Sequence, residues 1–258
     1  MKQVWKNFGK YRFLLGELVK KDIKLKYRRS YLGILWTLLE PILTTAVLTF
    51  VFGNLRQVKD PQFPVYILTG RLLYSFFSDS TKSAMKSIRS NSAMIKKVYV
   101  PKYIYPLSTV LSNYVIFLIS MIVLFGATLI FKVMPTVYFI QAIIPLVLLL
   151  ILALGIGMII ATLAVFFRDL EYLWGVILML IMYTSAIFYR VDALHLGDKE
   201  WVLMLNPLYV IISNFRSAVF GSPMNQTALL LSAVYSFGAL FIGILLFYKK
   251  QDDFILNI

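Results

Sequence analysis

The feature that most constrains this 258-residue chain is a series of long apolar runs, most of them nearly free of charge. A helix rises about 1.5 Å per residue, so roughly 20 apolar residues cross the hydrocarbon of a bilayer. Six runs qualify: residues 34–53, 63–80, 104–131, 137–167, 173–189 and 228–248. The second is the weakest, because Arg71 interrupts it. The fourth is too short for two crossings and a turn, so it reads as one span, tilted or kinked at Pro145. Apolar residues fill 60% of all positions, above the balance of about half that is typical of soluble domains. The expectation is an all-α, polytopic membrane protein with six transmembrane helices.

Composition removes several kinds of chemistry. The chain has no cysteine, so disulfides, thiolate metal sites and thiol nucleophiles are out of reach. One histidine, His195, cannot build a multi-histidine metal site. There is no G-x-x-x-x-G-K-[ST] loop to cradle nucleotide phosphates, no H-E-x-x-H and no G-x-S-x-G. The spans lack the line of Asp, Glu and His that a proton relay uses, and no inverted repeat with broken helices is visible. A transporter powered by a separate ATPase fits these absences. The N-terminus does not read as a cleavable signal, because its first apolar run begins only after Tyr31. Without repeat or linker, residues 1–258 read as one domain.

The net charge of +14 would suit nucleic acid. On a membrane protein it reads instead as basic loops kept on the cytosolic side, beside anionic lipid. Ten Lys and Arg precede residue 30, and six lie between Lys82 and Lys102 with no acid among them. Arg168, Lys249 and Lys250 join that side, whereas the other holds only Arg56, Lys59, Lys132, Arg190, Lys199 and Arg216. With six crossings, this bias puts both termini in the cytosol.

Three segments lie outside the spans. Residues 5–29 set Phe8, Leu15, Leu18, Val19, Ile23 and Leu25 among Lys and Arg, as in a helix lying in the membrane interface or a plain basic anchor. In residues 82–103, Met85, Ile88, Met94, Ile95 and Val98 alternate with six cations, which predicts one or two short amphipathic helices. Such a segment suits either a lipid surface or the receipt of force from a partner. Residues 190–226 contain an apolar stretch split by Asn206 and Pro207, too broken to span and suited to a pair of short re-entrant helices or an amphipathic loop.

The stretch YRRSYLGILWTLLEPIL resembles the opening of the permease subunits of type-2 ABC transporters that export O-antigen, capsule polysaccharide and wall teichoic acid. Tyr27, Ser30, Leu32, Gly33, Trp36 and Pro41 meet its pattern. NSAMIKKVYVPKYIYPLS is similar to a second family motif through Asn91, Ile95, Lys97, Pro101, Pro106 and Ser108. FFRDLEYLWGVILMLIMYTSAIFY and LNPLYVIISNFRSAVFG resemble the Arg-Asp turn, the Ser-Pro-Ile-x-Tyr exit of span five and the Asn-Pro segment, with Ala186 where the family has Pro. The resemblance implies a homodimer with two copies of a cytosolic ATPase, moving a lipid-linked glycan. ATP and Mg would be held by that partner, and no cofactor by this chain. Residues 1–33 would form the cytosolic interface helix, and residues 82–103 the coupling loop, in which Arg89, Asn91, Met94, Ile95, Lys96 and Lys97 reach the ATPase. Residues 190–226 would form the extracellular gate around Asn206 and Pro207, and spans one, two and five would line the conduit.

Span one combines Glu40 with the helix-breaking Pro41. Pro41 removes a backbone hydrogen bond, tolerable in a membrane only where protein or water re-satisfies the freed carbonyl. A carboxylate at mid-span costs about 2.5–3.5 kcal/mol on insertion scales, so Glu40 reads as a polar wall of the conduit or as half of a structural ion pair. Arg71 could snorkel to head groups or face inward and meet a phosphate. Trp36, Tyr74, Phe77, Tyr183, Phe188 and Tyr189 sit on the same three spans, where aromatic faces could stack on sugars. An interfacial belt and core packing are the alternatives, the belt favoured for Trp36 and Tyr189 and the conduit for Tyr74 and Tyr183. Ala153, Gly157 and Ala161 form a small-residue ridge for helix packing. The competing functions are a type-2 exporter of drugs or lipids, a channel, and an enzyme acting on lipid-linked sugars, which would need an acid or His cluster that is missing.

Overall fold

The structure, a computed structural model, describes residues 2–28, 30–55, 60–97, 100–191 and 201–254. Residues 192–200 of the expected gate segment, with His195, and Val98 of the coupling loop lie outside the described residues. What is described is helical. A long first helix, α1 (Lys2–Tyr27), is followed by a 3-10 turn and α2 (Trp36–Leu55). Then come α3 (Phe63–Ser90), the short α4 (Ser92–Lys97), α5 (Ile104–Ile130) and α6 (Ile143–Phe166). α7 (Leu170–Thr184), α8 (Trp201–Met204), α9 (Pro207–Val219) and α10 (Gln226–Lys250) complete the order.

Four helical stretches among the described residues are long and apolar enough to cross a membrane: Gly33–Gly53, Ile104–Ile130, Val137–Phe166 and Gln226–Asp253. α7 is apolar but has 15 residues, about 22 Å of helix. α3 has 28 residues but carries Arg71, Asp79, Lys82, Lys86 and Arg89. It runs without a break to Ser90, so the first part of the expected coupling loop is a continuation of the second apolar segment. Pro145 falls in the first turn of α6, just after the 3-10 stretch of residues 137–142 that leads into it.

α3 is the axis of the bundle. It packs against α2, α5, α6, α7 and α9, and it is buried from Phe63 to Ile88 on most of its faces. Two of its buried hydroxyls close onto their own helix: Thr81 Oγ1 donates to the Phe77 carbonyl at 2.8 Å and Ser87 Oγ to that of Ala84 at 2.7 Å. α7 is held to it by Trp174 Nε1, which donates to Thr81 Oγ1 at 3.0 Å, and by an ion pair between Lys86 and Glu171. α1 lies across α5, with Leu18 in a cluster of Ile88, Ile95, Ile104, Phe247 and Phe254 at one end of the bundle, while Phe13 and Leu25 stay exposed. The turn from α1 into α2 passes through Gly33 at φ +50°, a conformation costly for any side-chain-bearing residue.

Close packing rests on small residues. Gly157 sets α6 against α3 and α5, a Cβ there lying 3.1 Å from Ala84 Cβ, and Ala153 and Ala161 are wholly buried. The tightest crossing is elsewhere, between α6 and α10: a Cβ on Gly155 would fall on the backbone of Ala239 and Leu240.

The proline inside α2 is accommodated by a neighbour. Pro41 has no N–H to give the Thr37 carbonyl, and Ser120 Oγ of α5 donates to that carbonyl at 3.0 Å. Ser120→Ala should therefore destabilise the purified chain by about 1–3 kcal/mol, the cost of an unsatisfied buried carbonyl. In a Pro41→Ala background, which restores the N–H, the same change should cost clearly less. A double-mutant cycle on thermal unfolding reads the coupling, and additive effects would refute the pairing. Gly155→Ala should cost about 1–3 kcal/mol by overpacking, and Gly157→Ala less, in the same assay.

Candidate functional site

A polar cleft opens between the end of α1 and helices α2, α3 and α5. Its mouth, about 580 Å³, is bordered by Asp22, Lys26, Asp79, Lys82 and Asn113. It shares Lys26, Asp79 and Asn113 with a deeper recess of about 70 Å³ that reaches Glu40, Arg71 and Ser120. Lys26 Nζ lies 3.7 Å from Asp79 Oδ2, tying α1 to α3. Glu40 makes no ion pair within 4.0 Å among the described residues, and Arg71 lies 5.9 Å from the centroid of the Tyr74 ring. Burial pushes the Asp22 carboxyl above its ordinary range, with Lys21 pulling it back. Two cations and two carboxylates in the deep part balance. A neutral wall rich in donors and acceptors suits hydroxyl-bearing molecules better than apolar ones.

Of the residues named from sequence for the conduit, the structure brings Glu40 and Arg71 together in this cleft. Trp36 is exposed at the start of α2. Tyr74 and Phe77 are buried in the subunit core: Tyr74 Oη donates to the Leu178 carbonyl at 3.0 Å, and Phe77 lies 6.4 Å from Trp174. Tyr183 is exposed on α7, Phe188 stacks on Phe52 at 5.0 Å, and Tyr189 Oη donates to the Tyr183 carbonyl at 2.7 Å. Sequence reasoning passed over Asn113 and Ser120. They are polar interruptions on one side of an otherwise apolar α5, and that was the available signal.

At the end of the bundle where α3 finishes, Asn91 ends α3 and starts α4. Its Nδ2 donates to the Ser87 carbonyl at 2.8 Å, and its own carbonyl accepts from the N–H groups of Met94 and Ile95. Ile95 turns into the cluster with Leu18 and Phe254, while Met94, Lys96 and Lys97 face outward and Arg89 is half-buried.

At the other end, Asn206 caps α9. Its Oδ1 accepts from Leu208 N at 2.9 Å and Tyr209 N at 3.4 Å, and Pro207 takes the first helical position. Asn206 Nδ2 donates to Thr184 Oγ1 and Ser185 Oγ at 2.8 and 2.9 Å, so one side chain both starts α9 and holds it to the end of α7. Ala186 follows with φ +50°. A proline, locked near −65°, could not adopt this geometry, so the exit as it stands fits Ala186 and would not fit a Pro at that position. Asn206→Ala should lower stability by about 1–2 kcal/mol through the lost cap. Asn206→Ser, which keeps a capping oxygen but is too short for the α7 link, should lose less. Thermal unfolding of the purified variants checks the order, and equal values would remove the capping role.

Comparison with known proteins places this arrangement. The family model for the ABC-2 type transporter matches residues 14–220. The chain is 28% identical over 251 residues to the O-antigen export system permease protein RfbA of Klebsiella pneumoniae, covering 96% of both chains. It is 25% identical over 246 residues to the protein of the same name from Myxococcus xanthus, covering 95% of both. To the polysialic acid transport protein KpsM of Escherichia coli it is 25% identical over 248 residues, covering 91% of this chain and 92% of that one. With the matched region running from α1 to the end of α9, the chain belongs to the ABC-2 type transporter family.

Proposed function

We propose that this chain is the permease subunit of an ATP-driven exporter that moves lipid-linked polysaccharide or teichoic acid across the bacterial cytoplasmic membrane. The observation that carries this reading is its end-to-end likeness to an O-antigen export permease, over 96% of both chains. The charge-balanced cleft adds a physical reason to prefer a hydroxyl-rich cargo over an apolar drug or lipid. Among the described residues no group of three or more His, Cys, Asp or Glu could hold a metal ion. Energy would come from two copies of a cytosolic ATPase that binds ATP and Mg.

In this reading α3 and α7 complete six crossings, both termini are cytosolic, and two copies of the chain form the conduit. Only 11% of the apolar stretch of the first span is buried within the chain, and α7 buries just Trp174 and Leu178. These two helices, like α10 with only 17% of its span buried, carry exposed apolar faces, such as Leu43, Val47 and Phe50 on α2 and Val176, Leu180 and Tyr183 on α7, that would meet a second subunit or lipid. Trp36, Glu40, Arg71 and Tyr183 would be the conduit residues within reach of cargo. Tyr74, Phe77, Phe188 and Tyr189 would support them from behind. Arg89, Asn91, Met94, Ile95, Lys96 and Lys97 would couple to the ATPase, with Ile95 as the anchor of α4. Asn206 and Pro207 would set the angle of the outer gate helices.

The test is export of glycan by the chain co-expressed with its ATPase in proteoliposomes or in cells lacking the native permease. Glycan should appear outside only with both subunits and with an ATPase able to hydrolyse ATP. Glu40→Gln and Arg71→Leu should each reduce export about tenfold while leaving assembly with the ATPase intact, as expected for loss of one charge-assisted contact. Export by the permease alone would overturn the proposal, and unchanged export by both variants would remove the cleft from the path.

A further inference from the structure

A second polar cavity, of about 530 Å³, lies at the end of the bundle where α9 meets the start of α3 and the exit of α7. Gln62, Tyr66, Arg190, Tyr209, Ser213 and Arg216 converge on it. It is separate from the cleft described above and shares no lining residue with it.

Arg216 is the unusual member. Its side chain leaves α9 and is only 7% exposed. Its partners are all neutral oxygens: Nε donates to Thr69 Oγ1 at 3.3 Å, Nη1 to the Ala186 carbonyl at 2.9 Å and Nη2 to the Tyr66 carbonyl at 3.0 Å. The guanidinium carbon lies 3.5 Å from the centroid of the Tyr66 ring. A guanidinium has five N–H groups, so two donors remain beyond these three bonds. No carboxylate approaches it within 4.0 Å among the described residues. A second guanidinium, Arg190, is 5.4 Å from the same ring. Arg190 pairs with Asp60, yet its Nε is buried without an acceptor.

Among the described residues, two cations and one carboxylate give the cavity an excess positive charge. A buried charge without a counter-ion is costly, and a second cation on the same ring adds repulsion. Spare guanidinium donors, hydroxyls and a small-molecule-sized space are what a carboxylate or phosphate needs for bidentate capture. We infer that this cavity is an anion-binding site on the outer face of the permease, for the carboxylate or phosphate class. Its outward orientation rests on the export reading, which it deepens: an acidic group on the emerging glycan is one source of such an anion, and an outer-leaflet phospholipid head group is the other.

Binding is measured on the full-length chain alone, in discs of neutral phosphatidylcholine, by thermal unfolding with inorganic phosphate, glucuronate or glucose. Phosphate and glucuronate should raise the unfolding midpoint saturably, and glucose should not. Arg190→Gln should weaken the apparent affinity about tenfold, the loss of one charge-assisted contact. Gly70→Ala should weaken it too, because its Cβ would stand 2.6 Å from Arg216 Nη2 and displace the guanidinium without removing its charge. These variants replace Arg216→Gln, which cuts a tie among three elements and confounds binding with folding. Repeating the titration in phosphatidylglycerol discs separates the sources: a surviving shift points to a soluble, glycan-borne anion, and a shift already saturated by the lipid points to the head group. No anion-specific shift in either disc, or one indifferent to Arg190→Gln, overturns the site. The assay needs neither ATPase nor transport, so its failure leaves the export reading standing, and failed export leaves anion binding standing.

Discussion

In a bilayer every backbone polar group must find its partner inside the protein, and the bundle is arranged around that demand. The clearest case is the Thr37 carbonyl, released by Pro41 and taken up by Ser120. This contact ties the first turns of α2 to the middle of α5. The recess holding Glu40 and Arg71 lies between these same helices and α3. Were the carbonyl left bare, that tie would be gone, and a wall of the recess would be less firmly held.

The same logic explains α3. A helix with Arg71, Asp79 and three further cations reads as a poor membrane element, yet it contributes more buried residues than any other described helix. Thr69, Thr81 and Ser87 bond to carbonyls three or four residues back, so they present little unsatisfied polarity to their neighbours, whereas Ser80 Oγ is buried without a partner among the described residues. Its charged groups lie toward the clefts and the polar end, where Lys26 and Glu171 meet two of them.

Much of this was legible in the sequence, and the remainder was hidden for identifiable reasons. α5, α6 and α10 announce themselves as apolar runs of membrane length, and Asn206-Pro207 announces a helix start. The continuation of α3 to Ser90 was obscured because hydropathy counts a hydroxyl as polar whether or not it is bonded within its own helix. Aromatic residues were ambiguous because a count on a span does not say which face they occupy. Tyr74 and Phe77 proved to face α7, and Tyr183 the surface. Glu40 and Arg71 stood out as intramembrane charges, but their meeting depends on the tertiary crossing of α2 and α3. Gly155 was overlooked because its neighbour across the gap, the α10 backbone around Leu240, lies far away in sequence.

The placement of Ile95 has a mechanical consequence. It is rooted among Leu18 of α1, Ile88 of α3, Ile104 and Tyr105 of α5, and Phe247 at the end of α10. Phe254 closes this knot from beyond α10, and Lys102 donates to the Gln251 carbonyl beside it. A load on α4 is thus distributed at once to four long helices instead of being absorbed by a pliant hinge. Under such a load a foot rooted this way would make the bundle tilt as a single plank, with its largest displacement at the opposite rim, where α9 is fastened.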